Sequence, residues 1–122
     1  MKTSKTIRVY RIASYLLMLG VIHSALTPVF YKTFMSVEAM WFFGTGLSLV
    51  FLGMLNIASG KILNIWMLKF TIAGNVAGTT FSLLLWLVLP EPQAIVGFVF
   101  HLIVLLASVF AFIKVRNSGQ YC

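Results

Sequence analysis

The sequence predicts an all-α integral membrane protein, an antiparallel bundle of four transmembrane helices connected up-down-up-down. Hydrophobic residues make up 61% of the 122 residues and charged residues only 9%, and the mean hydropathy is +1.02. Four charge-free runs, 12–30, 39–58, 70–89 and 94–113, each have roughly the 20 residues that cross a bilayer as one helix. Short links between the runs favour antiparallel neighbours.

The first run, 12–30, is predicted to be a true span. It follows a basic stretch but is longer than the apolar part of a signal peptide, so we expect it to be retained. Pro28 cannot donate a hydrogen bond to the carbonyl of Ser24. It therefore either kinks this helix just beyond His23, leaving the carbonyl as an extra acceptor beside the histidine, or ends the helix.

The links between the runs indicate where the other helices begin and end. Ser36 is the expected N-cap of the second helix, and Glu38 would lie in its first turn near the positive end of the helix dipole. Pro90 and Pro92 cannot continue a helix, so they mark the reversal between the third and fourth helices. We expect a single membrane domain over residues 1–122 with short tails at both termini.

The net charge of +7 is explained by membrane topology and not by nucleic-acid binding. Eight of the nine basic residues flank the apolar runs on one side: Lys2, Lys5, Arg8, Arg11, Lys61, Lys69, Lys114 and Arg116. The positive-inside rule therefore predicts a multi-pass protein of the inner or plasma membrane with both termini in the cytoplasm. These flanks would contact the lipid bilayer, and no basic patch is left for nucleic acid.

A helical wheel divides each run into a small or polar face and a bulky apolar face. The small and polar faces would pack inside the bundle, where hydroxyl and amide groups bond between helices. Gly74, Asn75 and Gly78 are predicted packing positions of the third run. The other residues on these small and polar faces, listed run by run, are Ala13, Gly20, His23, Ser24, Thr27 and Tyr31 in the first; Glu38, Trp41, Gly44, Thr45, Ser48 and Asn56 in the second; Thr71 and Ser82 in the third; and Ala94, Gly97, His101 and Ser108 in the fourth.

His23 and His101 are the only histidines, and an ionisable residue inside a span is a candidate for function. Each would lie about 10 Å below the outer boundary, on neighbouring helices. In one interpretation each ring is neutral and hydrogen-bonded within a helix seam. In the other, the two rings share a polar pocket open to the outer face, as in small-ligand sites. The rim of this pocket would be formed by Thr27, Tyr31, Glu38 and Trp41.

The chain offers little else for chemistry. It has no Ser/His/Asp set, phosphate loop or paired carboxylates, and two histidines with one glutamate are too few for zinc. The single cysteine, Cys122, excludes a disulfide within the chain. We therefore expect a non-enzymatic protein without metal or cofactor. It would bind a small hydrophobic or amphipathic ligand, or a membrane partner that could be a second copy of the chain.

Two alternatives stay open at this stage. One is a redox subunit that works with a quinone or with haem b, in which His23 and His101 would be the axial ligands. The other is a proton-coupled transporter that acts as an oligomer and uses the same histidines as titrating switches. In both alternatives the two rings act together, so their mutual position is the geometry that matters.

In size and number of spans the chain is similar to small multidrug transporters and to four-helix membrane proteins of the DoxX type. The multidrug family depends on a glutamate in its first span, whereas 12–30 contains no acidic residue. The similarity therefore concerns architecture and implies no function.

Overall fold

The computed structural model describes residues 5–33 and 35–119, and this part of the chain forms helices without any strand. Three of the helices are long and apolar enough to cross a membrane, which supports a multi-pass, all-α membrane protein. Lys2 and Cys122 lie outside the described residues. The helices are α1 (Lys5–Leu17), α2 (Gly20–Ala25), α3 (Thr27–Phe30), α4 (Val37–Ile62), α5 (Ile65–Val88) and α6 (Pro92–Asn117).

The three long helices, α4, α5 and α6, have well-defined ends. Ser36 is the N-cap of α4, as predicted, because its Oγ accepts a hydrogen bond from the backbone N–H of Ala39 at 3.2 Å. Asn64 caps α5 by accepting from two backbone N–H groups of its first turn. Leu63, between these helices, has φ 54°, the left-handed conformation that commonly ends a helix. Pro92 begins α6 at a position where no helical N–H partner is needed.

The segment before α4 is a series of three helices in place of one continuous helix. The first break lies at Met18 and Leu19, whose N–H groups both bond to the third preceding carbonyl at 3.0 Å, as in a 3₁₀ turn. On either side of the break the helices have different neighbours. The first helix, α1, packs on both α4 and α6, whereas α2 packs on α4.

The second break, at Leu26, follows from Pro28. Because Pro28 has no N–H, the carbonyl of Ser24 loses its helical donor. The hydroxyl of Thr27 donates to that carbonyl at 2.7 Å. The carbonyl is therefore engaged by a threonine and is not a vacant acceptor beside His23. Pro28 itself lies in the first turn of the short helix α3.

A row of small residues on α4 forms the surface on which α1 and α2 pack. The row consists of Ala39, Gly46, Gly53 and Gly60, which are spaced seven residues apart and are all buried. A Cβ atom added to Gly46 would lie 2.7 Å from the carbonyl oxygen of Gly20, and one added to Gly53 would lie 3.0 Å from Cβ of Leu17. The backbones of α2 and α4 are therefore in direct contact. A seven-residue repeat is the period of left-handed helix packing.

A buried polar cluster joins α4, α5 and α6. The side-chain amides of Asn56 and Asn75 exchange two hydrogen bonds, of 2.8 and 2.9 Å, and Asn75 also donates to Ser108 at 3.0 Å. The hydroxyls of Ser59 and Thr71 are hydrogen-bonded to each other farther along the same two helices. All five side chains are at most 1% exposed, so this cluster satisfies its hydrogen bonds without water.

The two ends of the molecule differ in the number of residues that are buried. An apolar core of Tyr10, Leu68, Ala107, Ala111 and Val115 lies beside the polar cluster. We call this the basic end, because the cations of α1 and of the last turns of α4 and α6 lie there. The far end contains the links 31–36 and 89–91. Near the far end, the buried residues of α5 and α6 are Ser82 and Ala94.

Gly46→Ala should destabilise the protein, because the new Cβ would lie 2.7 Å from the carbonyl of Gly20 and 2.8 Å from the amide nitrogen of Ser24. Overpacking of this kind costs about 1–3 kcal/mol. Gly44→Ala is the matched control, since a Cβ there meets nothing within 4 Å. It should be neutral or stabilising by up to about 1 kcal/mol, the gain in helix propensity. The free energy of unfolding in detergent measures both, and equal values would contradict the close α2–α4 contact.

Asn75→Ala should lower the free energy of unfolding by about 1–3 kcal/mol, because it leaves the amide of Asn56 without its buried partner. Thr45→Ala serves as the control, since the Thr45 hydroxyl bonds to the carbonyl of Trp41 within its own helix and not to another helix among the described residues. Its effect should stay within about 0.5 kcal/mol. Titration with sodium dodecyl sulfate, followed by circular dichroism, gives both values. A loss no larger for Asn75→Ala than for Thr45→Ala would show that the cluster does not hold the helices together.

Candidate functional site

His23 lies in the seam between α2 and α4. Its ring stacks on Phe42, with centroids 3.9 Å apart and an interplanar angle of 19°. Phe30 and Tyr31 pack on the same Phe42, at centroid distances of 5.8 and 5.5 Å. The Nε2 atom of His23 is buried and has no hydrogen-bond partner among the described residues. Buried polar atoms normally have a partner, so this nitrogen is an unused hydrogen-bonding group beside aromatic side chains.

His101 lies in a different seam, between α5 and α6. Its Nδ1 is 2.8 Å from the carbonyl oxygen of Gly97 and 3.0 Å from Oγ of Ser82. The Ser82 hydroxyl itself donates to the carbonyl of Gly78 at 2.8 Å. A carbonyl can only accept, so the network assigns the proton of the neutral ring to Nδ1 and leaves Nε2 as an acceptor.

The predicted packing positions of α5 all lie at contacts with other helices. A Cβ added to Gly78 would be 2.9 Å from Cδ2 of His101 and 3.1 Å from Cδ2 of Leu52, and one added to Gly74 would be 3.2 Å from Cδ1 of Leu52. Gly78 therefore provides the space for the imidazole of His101. Asn75, between the two glycines, belongs to the polar cluster.

The structure groups some of the predicted pocket residues and separates others. Tyr31 shares Phe42 with His23, and the fully buried Thr27 bonds to the carbonyl of Ser24, the residue that follows His23. Glu38 is exposed, and Trp41 is 68% exposed on the outside of α4. His101 faces α5. The separation has a physical cause, because the break at Met18 and Leu19 comes between α1, which packs on α6, and α2, which packs on α4.

The same arrangement bears on metal and haem binding. Within residues 5–33 and 35–119, no group of three or more His, Cys, Asp or Glu side chains could hold a metal ion. A bis-histidine haem needs two imidazole nitrogens directed at one iron. The face of His23 is covered by Phe42, and the Nε2–Cδ2 edge of His101 packs over Gly78. As placed, these residues do not form such a site.

The helices form two pairs towards the far end. Side chains that join α4 to α5 include Ser59 with Thr71, Asn56 with Asn75, and Leu52 with Gly74 and Gly78. Beyond Leu52, Gly46 of α4 packs on α2, and Ser82 of α5 bonds to α6. An open apolar groove of about 410 Å³ lies at this end of α4, lined by Met35, Val37, Met40, Trp41 and Gly44.

Three residues that determine the surroundings of His23 are not predicted from the sequence. The helical wheel puts Phe42 on the bulky apolar face, whose residues are expected to face lipid. Met18 and Leu19 are ordinary apolar residues, and no proline or charged residue at these positions indicates a helix break. The one available signal was the neighbouring Gly20, because a glycine next to a break can allow close helix contact.

Comparisons of the chain with protein-family models, with curated proteins and with solved structures give no match.

The hydrogen bonds of His101 make a direct spectroscopic prediction. Solid-state ¹⁵N spectra of protein labelled at histidine should show a neutral His101 ring with the proton on Nδ1, because Gly97 can only accept. Ser82→Ala should keep this tautomer, since the carbonyl of Gly97 remains in place. Phe42→Leu, at the other histidine, should leave the His101 resonances unchanged. A proton on Nε2 of His101 would contradict the assigned network.

Proposed function

We propose that the chain is an up-down-up-down bundle of four membrane spans, with α1–α3 together as the first span and both termini in the cytoplasm. Contacts between successive segments support this topology, because each joins the first half of one segment to the second half of its neighbour, as in an antiparallel pair. Arg11 bonds to Gly60, and Asn56 bonds to Asn75. Among the described residues, all basic side chains except Lys32 flank these helices at one end, as the positive-inside rule requires of the cytoplasmic side.

We further propose that this bundle is a non-enzymatic binding protein for a small hydrophobic or amphipathic molecule. The ligand would enter at the far end, between the α2–α4 pair and the α5–α6 pair. The observation that carries this proposal is the buried Nε2 of His23, which has no partner among the described residues. A polar atom left unpaired in an apolar environment costs about 1–3 kcal/mol, and a ligand hydroxyl, carbonyl or carboxyl group would recover that energy.

The surroundings of His23 favour a ligand with one polar group and an apolar body. Phe42, Phe30 and Tyr31 provide aromatic surface within the same seam. Small-ligand sites combine a mostly apolar lining with a few fixed polar groups in this way. Haem binding and proton coupling through a pair of histidines are less well supported, because the two rings belong to different seams.

Photolabelling of the purified full chain in nanodiscs tests the proposal, with a fatty acid that carries a mid-chain diazirine as the probe. We expect adducts on the peptides that contain His23 and Phe42, and we expect excess oleic acid to compete with them. His23→Leu should lower this labelling at least fivefold, because the polar anchor of the probe is lost. Leu106→Trp is the control, since Leu106 is 48% exposed on the basic half of α6, and it should leave the labelling unchanged.

Two results would overturn the binding proposal. One is labelling spread evenly over exposed side chains such as Phe70 and Phe110, without competition by oleic acid. The other is equal labelling of the wild type and His23→Leu. Adducts that appear only when chains crosslink to one another would instead assign the far end to contact between two copies, and would likewise exclude a small ligand as the occupant.

A further inference from the structure

A second cavity lies at the basic end, between α1 and α4, at the opposite end of the molecule from the histidine seams. Its volume is about 210 Å³, and it is lined by Arg11, Tyr15, Ile57 and Lys61. Arg11 and Tyr15 are four residues apart on α1, and Ile57 and Lys61 are four residues apart on α4. The cavity therefore has two layers, a cationic layer of Arg11 with Lys61 and, roughly 6 Å deeper, a layer of Tyr15 with Ile57.

Arg11 is held in place by the end of α4. Its Nε donates to the carbonyl of Gly60 at 2.7 Å. This carbonyl lies in the last turn of α4, where carbonyl groups receive no hydrogen bond from within the helix and are open to other donors. Its Cγ lies 3.2 Å from the position of a Cβ at Gly60, so the absence of a side chain at Gly60 lets the arginine stem approach. A guanidinium has five N–H donors, and only the Nε donor is directed at Gly60.

We propose that this cavity binds the phosphate group of an anionic lipid. The terminal guanidinium nitrogens of Arg11 offer the fork of donors that suits a phosphate, and Lys61 adds a second positive charge beside it. Both residues lie where the predicted spans 12–30 and 39–58 meet the interface, the depth of lipid headgroups.

The deeper layer distinguishes a lipid from free phosphate. Tyr15 is 53% exposed on the side of α1, and together with Ile57 it continues the cavity along the direction of the acyl chains. A molecule with a phosphate above an apolar body fills both layers, whereas inorganic phosphate fills only the upper one. This site is independent of the ligand proposed for the far end, since it shares no residue with the histidine seams.

Native mass spectrometry of the full chain, released from vesicles of equal parts phosphatidylglycerol and phosphatidylcholine, tests the site. The wild type should retain phosphatidylglycerol in preference to phosphatidylcholine. Lys61→Gln should lower the retained phosphatidylglycerol at least fivefold, and folding should persist because Lys61 is exposed. Lys69→Gln is the matched control, because it removes one charge at the same end from a side chain that lies over Trp66 and outside the cavity. It should stay within twofold of the wild type.

A second variant, Arg11→Lys, keeps the charge and removes the planar fork. It should also lower phosphatidylglycerol retention while the helix content, measured by circular dichroism, stays unchanged. Equal losses for Lys61→Gln and Lys69→Gln would show a general effect of charge and would overturn the site. Displacement of the lipid by millimolar inorganic phosphate would assign the cavity to a free anion and would overturn the lipid as its ligand.

Discussion

The structure depends on the amide pair of Asn56 and Asn75. Hydrocarbon supplies no hydrogen-bond partners, so an amide buried there has to be satisfied by another side chain. These two amides satisfy each other, and Asn75 also reaches Ser108. A shift of α5 along α4 by even one residue would separate them and leave several polar groups unpaired. The pair therefore fixes the register of α4 and α5, and the bond to Ser108 fixes α6 against both.

That register determines which residues of α4 face the N-terminal helices. With Asn56 directed at α5, the three glycines of the small-residue row, Gly46, Gly53 and Gly60, face α1 and α2. Glycine lets two backbones come into contact, which increases the dispersion attraction between the helices. This matters in a membrane, because burial of apolar surface contributes little to helix association there. The close contact at Gly46 holds α2 on α4 beyond the helix break at Met18. The division of the far end into two pairs of helices follows from the α2–α4 contact.

The sequence predicts some of these features well, for a physical reason. On α5 and α6 the wheel selects Asn75, Ser82 and Ser108, all of which are buried, because polar residues are rare in apolar spans and have few stable positions. On α4 it groups Asn56 with Glu38 and Trp41, which are exposed. A wheel of 3.6 residues per turn drifts by about 20° per heptad from a seven-residue repeat. The row of small residues on α4 follows the seven-residue repeat, so its members drift away from one another on the wheel and are not grouped together.

The surroundings of His23 depend on a helix break for which the sequence offers a single signal, the neighbouring Gly20. The break at Met18 and Leu19 gives His23 a different helix neighbour from the one that a straight first span would give it. His101 is fixed more directly. Its ring packs against Gly78, which lies three residues from Asn75 on the same helix. A rotation of α5 would change the contact between Gly78 and His101 and the bond between Asn75 and Asn56 together. The seam that holds His101 is therefore coupled to the polar cluster, whereas the seam that holds His23 is fixed by the contact between α2 and α4.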